Sequence, residues 1–246
     1  MRLLFSILFA MTVMVSSVLA KDDITKELIT SNGKTRAYYL YVPSTVKADS
    51  PAPLIVMLHG SGRVGNSLVE KWKDLAKKEN FIIAGPDSSN TQVWAMPQDG
   101  PEFLRDLVEE LKKKYPINPR RVYLFGHSAG ASFSLEMSVM EPEYFAATAI
   151  HAGALPGSAR ELVPMAKRKI PMFIQVGDSD QFAPLNVVRA TRDFLKDNGF
   201  AVELTEIPKH DHWYYDMAPK INLAAWEFLK KYELDKDPVY RKFNFE

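Results

Sequence analysis

Ser128 stands between Gly126 and Gly130 in "YLFGHSAGASF", residues 123–133, where an apolar run gives way to the pattern G-x-S-x-G. Two glycines around one serine fit a strained strand-to-helix turn that holds a hydroxyl above a sheet, ready to attack a carbonyl carbon. Such a hydroxyl needs a base to take its proton and an acid to orient the base, in chain order Ser, then Asp or Glu, then His. The stretch "GDSDQFAPL" offers Asp178 and Asp180, and "PKHDHWYYDM" offers His210 and His212. Asp180 is favoured because it lies deeper in its loop, ahead of Ala183-Pro184 at the start of a helical stretch, where proline is well placed; Asp178 then shapes the turn. The two histidines lie two positions apart in an extended loop and face opposite ways, so only one can reach Ser128. His212 is favoured as the one nearer the next helix, which leaves His210 as a loop residue.

An oxyanion formed at the attacked carbonyl needs preorganised donors. The Gly-rich "LHGSGRVGNS" after a strand-like run supplies the Ser61 amide, which could pair with that of Ala129, the residue after the nucleophile. This loop lacks the Lys-Ser/Thr ending of a phosphate-binding P-loop. Trp94, Phe182, Trp213 and Tyr214 are expected to line a substrate pocket for an apolar or aromatic acyl group. All five histidines, His59, His127, His151, His210 and His212, fall at strand ends. None forms an H-E-x-x-H pair, so no metal site and no cofactor are expected. His59 and His127 are read as orienting loops, and His151 as a pocket residue.

These residues need a scaffold that gathers distant loops. Apolar runs "PLIVMLHG", "FIIAGPD", "RVYLFGHS", "AATAIHAG", "PMFIQVGD" and "AVELTEIP" alternate with amphipathic stretches near 67–79, 101–115, 129–141, 185–198 and 217–232. Continuous apolar strands separated by helices predict a mostly parallel sheet covered on both faces, an α/β fold whose reactive groups collect at the carboxyl ends of the strands. Ahead of this series, "ITKELITSNGKTRAYYLYVP" reads as an antiparallel hairpin turning at Asn32-Gly33.

Residues 1–20 carry Arg2, an apolar run and the small-residue ending Val18-Leu19-Ala20, the layout of a secretory signal peptide. They predict export to the periplasm or the exterior, with residues 21–246 as a single domain and no stable membrane association after cleavage. Lysine and arginine number 31 against 30 aspartates and glutamates. Loss of Arg2 makes the mature chain formally neutral, which argues against nucleic acid as a partner. Without cysteine, an exported chain must draw its stability from an ordinary core.

Together "HGSG" at 59, "INPRRVYLFGHSAG" at 117, "GDSDQFAP" at 177 and "DHWYY" at 211 resemble the α/β-hydrolase superfamily, in particular its secreted polyhydroxybutyrate depolymerase-like, feruloyl and acetylxylan esterases. The resemblance spans residues 35–232 and implies the α/β-hydrolase fold and ester hydrolysis through an acyl-enzyme. The family's Asp, third after glycine and followed by x-x-x-Pro, falls on Asp180, and its final-loop histidine on His212. Asn118 replaces the usual Asp in a turn before the nucleophile strand, and the missing cysteines and binding module depart from many polyester depolymerases. The expectation is a serine esterase acting on a small-molecule or polymer-borne ester with a short or aromatic acyl group. A prolyl oligopeptidase-type peptidase and a non-catalytic binding protein on a hydrolase scaffold are the alternatives.

Overall fold

The structure, a computed structural model, describes residues 22–243 and residue 245; the expected leader lies outside them. Thr25–Ser31 (β1) and Lys34–Tyr41 (β2) form the hairpin, pairing Ser31 with Lys34. Asn32 and Gly33 take φ of 51° and 72°, the positive values that a tight two-residue hairpin turn requires. From there the chain runs through Ala52–Leu58 (β3), Asn66–Glu79 (α1), Ile82–Pro86 (β4), Pro101–Lys114 (α2) and Ile117–His127 (β5). It continues through Ala129–Met140 (α3), Ala147–His151 (β6), Met172–Gly177 (β7), Leu185–Asp197 (α4), Val202–Ile207 (β8) and Ala218–Leu229 (α5).

The eight strands form one sheet in the order β1-β2-β4-β3-β5-β6-β7-β8. The β1–β2 and β2–β4 pairs are antiparallel and the others parallel. All seven residues of β3 are buried. Leu54, Val56 and Leu58 join the core on the face covered by α2, α3 and α4, while Ile55 and Met57 join the opposite core under α1 and α5. This two-sided burial is why the strand reads as continuous apolar sequence, and it fixes the height at which β3 delivers its loop. Leu54→Ala is expected to cost about 2–5 kcal/mol in urea unfolding, because it opens a cavity in a close-packed layer; a loss below about 1 kcal/mol would contradict this packing.

Two local features depart from the sequence reading. β5 begins at Ile117, ahead of the expected Arg121, because Ile117 pairs with Ala52 before the register shifts to Leu54–Val122. Pro119 has no N–H for the ladder, and the Asn118 side chain accepts the Arg120 N–H at 3.0 Å within that irregularity. A 3₁₀ segment, Gly157–Met165, also lies between β6 and β7. No helix among the described residues is long and apolar enough to cross a membrane.

Candidate active site

β5 ends at His127, and Ser128 follows with φ 56° and ψ −118°, a left-handed conformation that a non-glycine residue holds only under constraint. Three contacts impose it. The Ser128 N–H donates to the His151 carbonyl at 3.0 Å on the neighbouring strand end. A Cβ on Gly126 would lie 2.2 Å from the Gly130 carbonyl oxygen, and one on Gly130 would lie 2.0 Å from that of Leu58. Both glycines are thus required by close backbone approach, and the turn between them leaves the serine hydroxyl projecting from the strand end.

The hydroxyl meets a histidine from the far end of the sheet. Ser128 Oγ lies 2.8 Å from His212 Nε2, and His212 Nδ1 lies 2.8 Å and 3.0 Å from the two carboxylate oxygens of Asp180. A carboxylate only accepts, so Nδ1 carries the hydrogen and Nε2 presents its lone pair to the serine O–H. Asp180 is buried, and its Oδ1 also accepts the Phe182 and Ala183 N–H groups at 2.9 Å and 2.8 Å. Asp178 instead accepts the Ser179 hydroxyl and the Lys209 N–H, both at 2.8 Å, and shapes its turn. His210 does not join this line, its Nε2 lying 3.1 Å from His151 Nε2 instead.

The loop after β3 closes on this elbow: a Cβ on Gly60 would lie 3.3 Å from Ser128 Cβ. Neither Ser61 nor Ala129 donates its amide to a loop or turn carbonyl. Ser61 Oγ bonds Gln92 Oε1 at 3.1 Å, and the Gly62 N–H donates to the Thr91 carbonyl at 2.8 Å. His59 braces the loop from beneath, with Nδ1 2.9 Å from the Gly60 carbonyl and Nε2 accepting the Ser88 N–H at 3.1 Å. Gln92 escaped the sequence reading because nothing in its neighbourhood marks it as a partner of a loop thirty residues earlier.

Two of the four expected pocket aromatics are corrected. Trp94 is buried, donates its indole N–H to the His59 carbonyl at 2.8 Å and stacks on Phe133; its polar edge is satisfied inside the protein, which fixes it as packing behind the loop. Tyr214 is fully buried, hydrogen-bonded to Asn222 and stacked against His127. It follows an outward-facing Trp213, so its own side chain points inward. Phe182 and Trp213 are 82% and 47% exposed. With Ser179, Gln181, Asp211 and His212 they line a depression of about 440 Å³.

Beneath the site lies a line of buried imidazoles. His127 Nδ1 is 3.0 Å from His151 Nδ1, and His151 Nε2 is 3.1 Å from His210 Nε2. His151 is fully buried, which corrects its reading as a pocket residue. Each facing pair of nitrogens shares one hydrogen, one ring donating and the other accepting. The line ties the elbow, the end of β6 and the loop of His212 into one unit. Burial first, and then the charge that His212 or a neighbouring imidazole would carry, depress His127 to about 3 and His151 to about 2.

In the unfolded chain these imidazoles bind protons near pH 6.5, whereas the fold refuses them until far lower pH. Stability is therefore full above pH 6.5 and falls as pH drops toward 3. At pH 4.5 the two together forfeit roughly 5 kcal/mol. Glu141, pushed up to about 8 by burial, returns part of it, because the fold already holds its proton at pH 7 and the unfolded chain does not. Urea unfolding is therefore expected to give a net loss of a few kcal/mol between pH 7 and pH 4.5; a net gain would contradict the burial of neutral His127 and His151.

The chain matches the phospholipase/carboxylesterase family model over residues 98–223, just over half its length. It belongs to that family, within the α/β-hydrolases. Relatives in sequence include poly(3-hydroxyalkanoate) depolymerase C of Paucimonas lemoignei, 29% identical over 164 residues, covering 61% of this chain and 39% of the relative. Another is the bifunctional acetylxylan esterase/xylanase XynS20E of Neocallimastix patriciarum, 28% identical over 152 residues, covering 60% of this chain and 22% of the relative. The chain thus spans less than half the length of the curated relatives it matches. In fold it is similar to a thermostable esterase, with a TM-score of 0.69 at 23% identity, covering 87% of this chain and 64% of that one.

Proposed function

We propose that this chain is a serine carboxylesterase in which Ser128 is the nucleophile, His212 the general base and acid, and Asp180 the residue that orients the imidazole. The observation that carries the reading is the continuous hydrogen-bonded line from Ser128 Oγ through His212 to Asp180. His212 Nε2 takes the hydroxyl proton as Oγ bonds to the ester carbonyl carbon. Asp180 holds the proton on Nδ1 and stabilises the imidazolium that forms. The Ser61 and Ala129 amides receive the oxyanion, each worth roughly a hundredfold or more in rate. Collapse of the tetrahedral adduct breaks the bond to the alcohol oxygen, which leaves with the proton from His212. Water then attacks the acyl-enzyme by the same route and releases the acid and the free serine.

The substrate is a short or aromatic acyl ester, free in solution or borne on a polymer. Support comes from the exposed Phe182 and Trp213 beside the imidazole, which can pack against a flat acyl group, and from acetylxylan esterase and depolymerase among the relatives. The sequence layout of residues 1–20 supports export, with residues 21–246 acting as one hydrolase domain. Steady-state hydrolysis of a panel of acetyl, butyryl and feruloyl esters, with a dipeptide anilide as the peptidase arm, tests the assignment. Ester turnover with kcat/KM at least about a hundredfold above the anilide is the expected result, and the reverse order would favour a peptidase.

A further inference from the structure

Arg63 stands on the loop that carries Ser61 and has no role in the line of Ser128, His212 and Asp180. Its backbone N–H closes the turn onto the Gly60 carbonyl at 3.2 Å, beside Gly62 at φ 70°. Its guanidinium lies 5.3 Å from the ring centre of Trp213 and 5.2 Å from that of Tyr215, and those two rings are 5.0 Å apart. Trp213 immediately follows His212 in the chain, so the cation rests on an aromatic shelf attached to the imidazole loop. Among the described residues most arginines are held by acceptors: Arg36 by Asp99, Arg120 by Glu233, Arg189 by Glu206, and Arg168 by three carbonyls. The Arg63 side chain is exposed and makes no hydrogen bond or ion pair to a carboxylate or carbonyl among the described residues.

Aromatic contact leaves a guanidinium's N–H edge unsatisfied, and that edge matches a carboxylate in bidentate geometry. Its field also reaches the elbow, since Arg63 is one of the charges that disfavour protonation of His127. Asp211 lines the depression next to Phe182, which disfavours an anion there, and Arg63 is not among the residues lining it. Trp213 thus borders an apolar depression with an acidic rim and also carries the cation.

We propose that Arg63, held on Trp213 and Tyr215, is the subsite for a carboxylate on the substrate, so that the preferred esters carry one negative charge on the acyl or the alcohol arm. This deepens the esterase reading and rests on it. A carboxylate docked on Arg63 anchors the ester while its carbonyl reaches Ser128 and the Ser61 amide, and the gain appears mainly in KM.

Two substrate pairs test it: 4-nitrophenyl hydrogen glutarate against 4-nitrophenyl hexanoate for the acyl arm, and 4-acetoxybenzoate against 4-acetoxybenzamide for the alcohol arm. In one pair the ratio of kcat/KM, charged over neutral, is expected to fall about ten- to a hundredfold in Arg63→Gln. Arg63→Lys retains part of that ratio, and 0.5 M NaCl lowers it in the wild type by screening. Arg160→Gln, at an arginine placed over Phe194 away from the site, leaves the ratio as it was. A ratio unmoved by Arg63→Gln in both pairs overturns the proposal while the neutral esters still report hydrolysis. Failure to turn over any of the four esters overturns it together with the esterase reading.

Discussion

Replacing Ser128 by alanine is expected to lower kcat for a short 4-nitrophenyl ester by at least about a thousandfold. The unfolding temperature should stay within a few degrees of the wild type. The prediction separates chemistry from architecture. The turn is held by the Ser128 N–H bond to the His151 carbonyl and by the close backbone contacts at Gly126 and Gly130, none of which uses the hydroxyl. Alanine keeps the backbone and removes only the oxygen that His212 addresses. What rate remains would come from the amides of Ser61 and Ala129 acting on a directly attacking water. Retention of a tenth of the wild-type rate would show that another group is the nucleophile.

Asp180→Asn carries the second large effect, a fall in kcat of about a thousand- to ten-thousandfold. The carboxylate accepts three N–H groups, from His212, Phe182 and Ala183. An amide offers only one oxygen as acceptor and turns its NH₂ toward a partner that also donates. Either His212 moves its hydrogen to Nε2, where it can no longer accept from Ser128, or the loop after β7 loses its backbone bonds. The pH profile distinguishes these outcomes. A wrong tautomer gives a low rate that climbs at high pH, where hydroxide takes the Ser128 proton in place of His212, whereas a displaced loop lowers the rate uniformly. Asp178→Asn, at an exposed turn, should change kcat less than about threefold.

Alternating apolar runs and amphipathic stretches made the sheet, its hairpin and its five helices readable, because two-sided burial leaves no polar face on the central strands. The juxtaposition of Ser128, Asp180 and His212, the candidate site, was readable for a related reason: each follows an apolar strand, and a parallel sheet sends all such loops to one edge. Position within the loops separated Asp180 from Asp178 and His212 from His210. Tyr214 and Trp94 were harder, since an aromatic with a polar edge reads the same whether that edge meets solvent or a buried partner. Asn222 and the His59 carbonyl decided the matter, and they lie eight and thirty-five residues away. The imidazole line was invisible because it joins the ends of β5 and β6 to the loop after β8. Five histidines all at strand ends were the available signal, and the register pairing His127 with His151 turned that coincidence into contact.

Arg63 shows what a residue-by-residue reading can miss in a motif already explained. The loop "LHGSGRVG" was accounted for by its glycines and one amide, and its only charge went unassigned until the fold laid it across Trp213 and Tyr215.

The most direct test of the central claim is covalent capture of the nucleophile. A fluorophosphonate added to the purified protein, followed by mass mapping of the digest, should place one label per chain on Ser128, and His212→Ala should slow labelling by about a hundredfold or more. Labelling at another serine, or labelling of Ser128 at the same rate without His212, would contradict it.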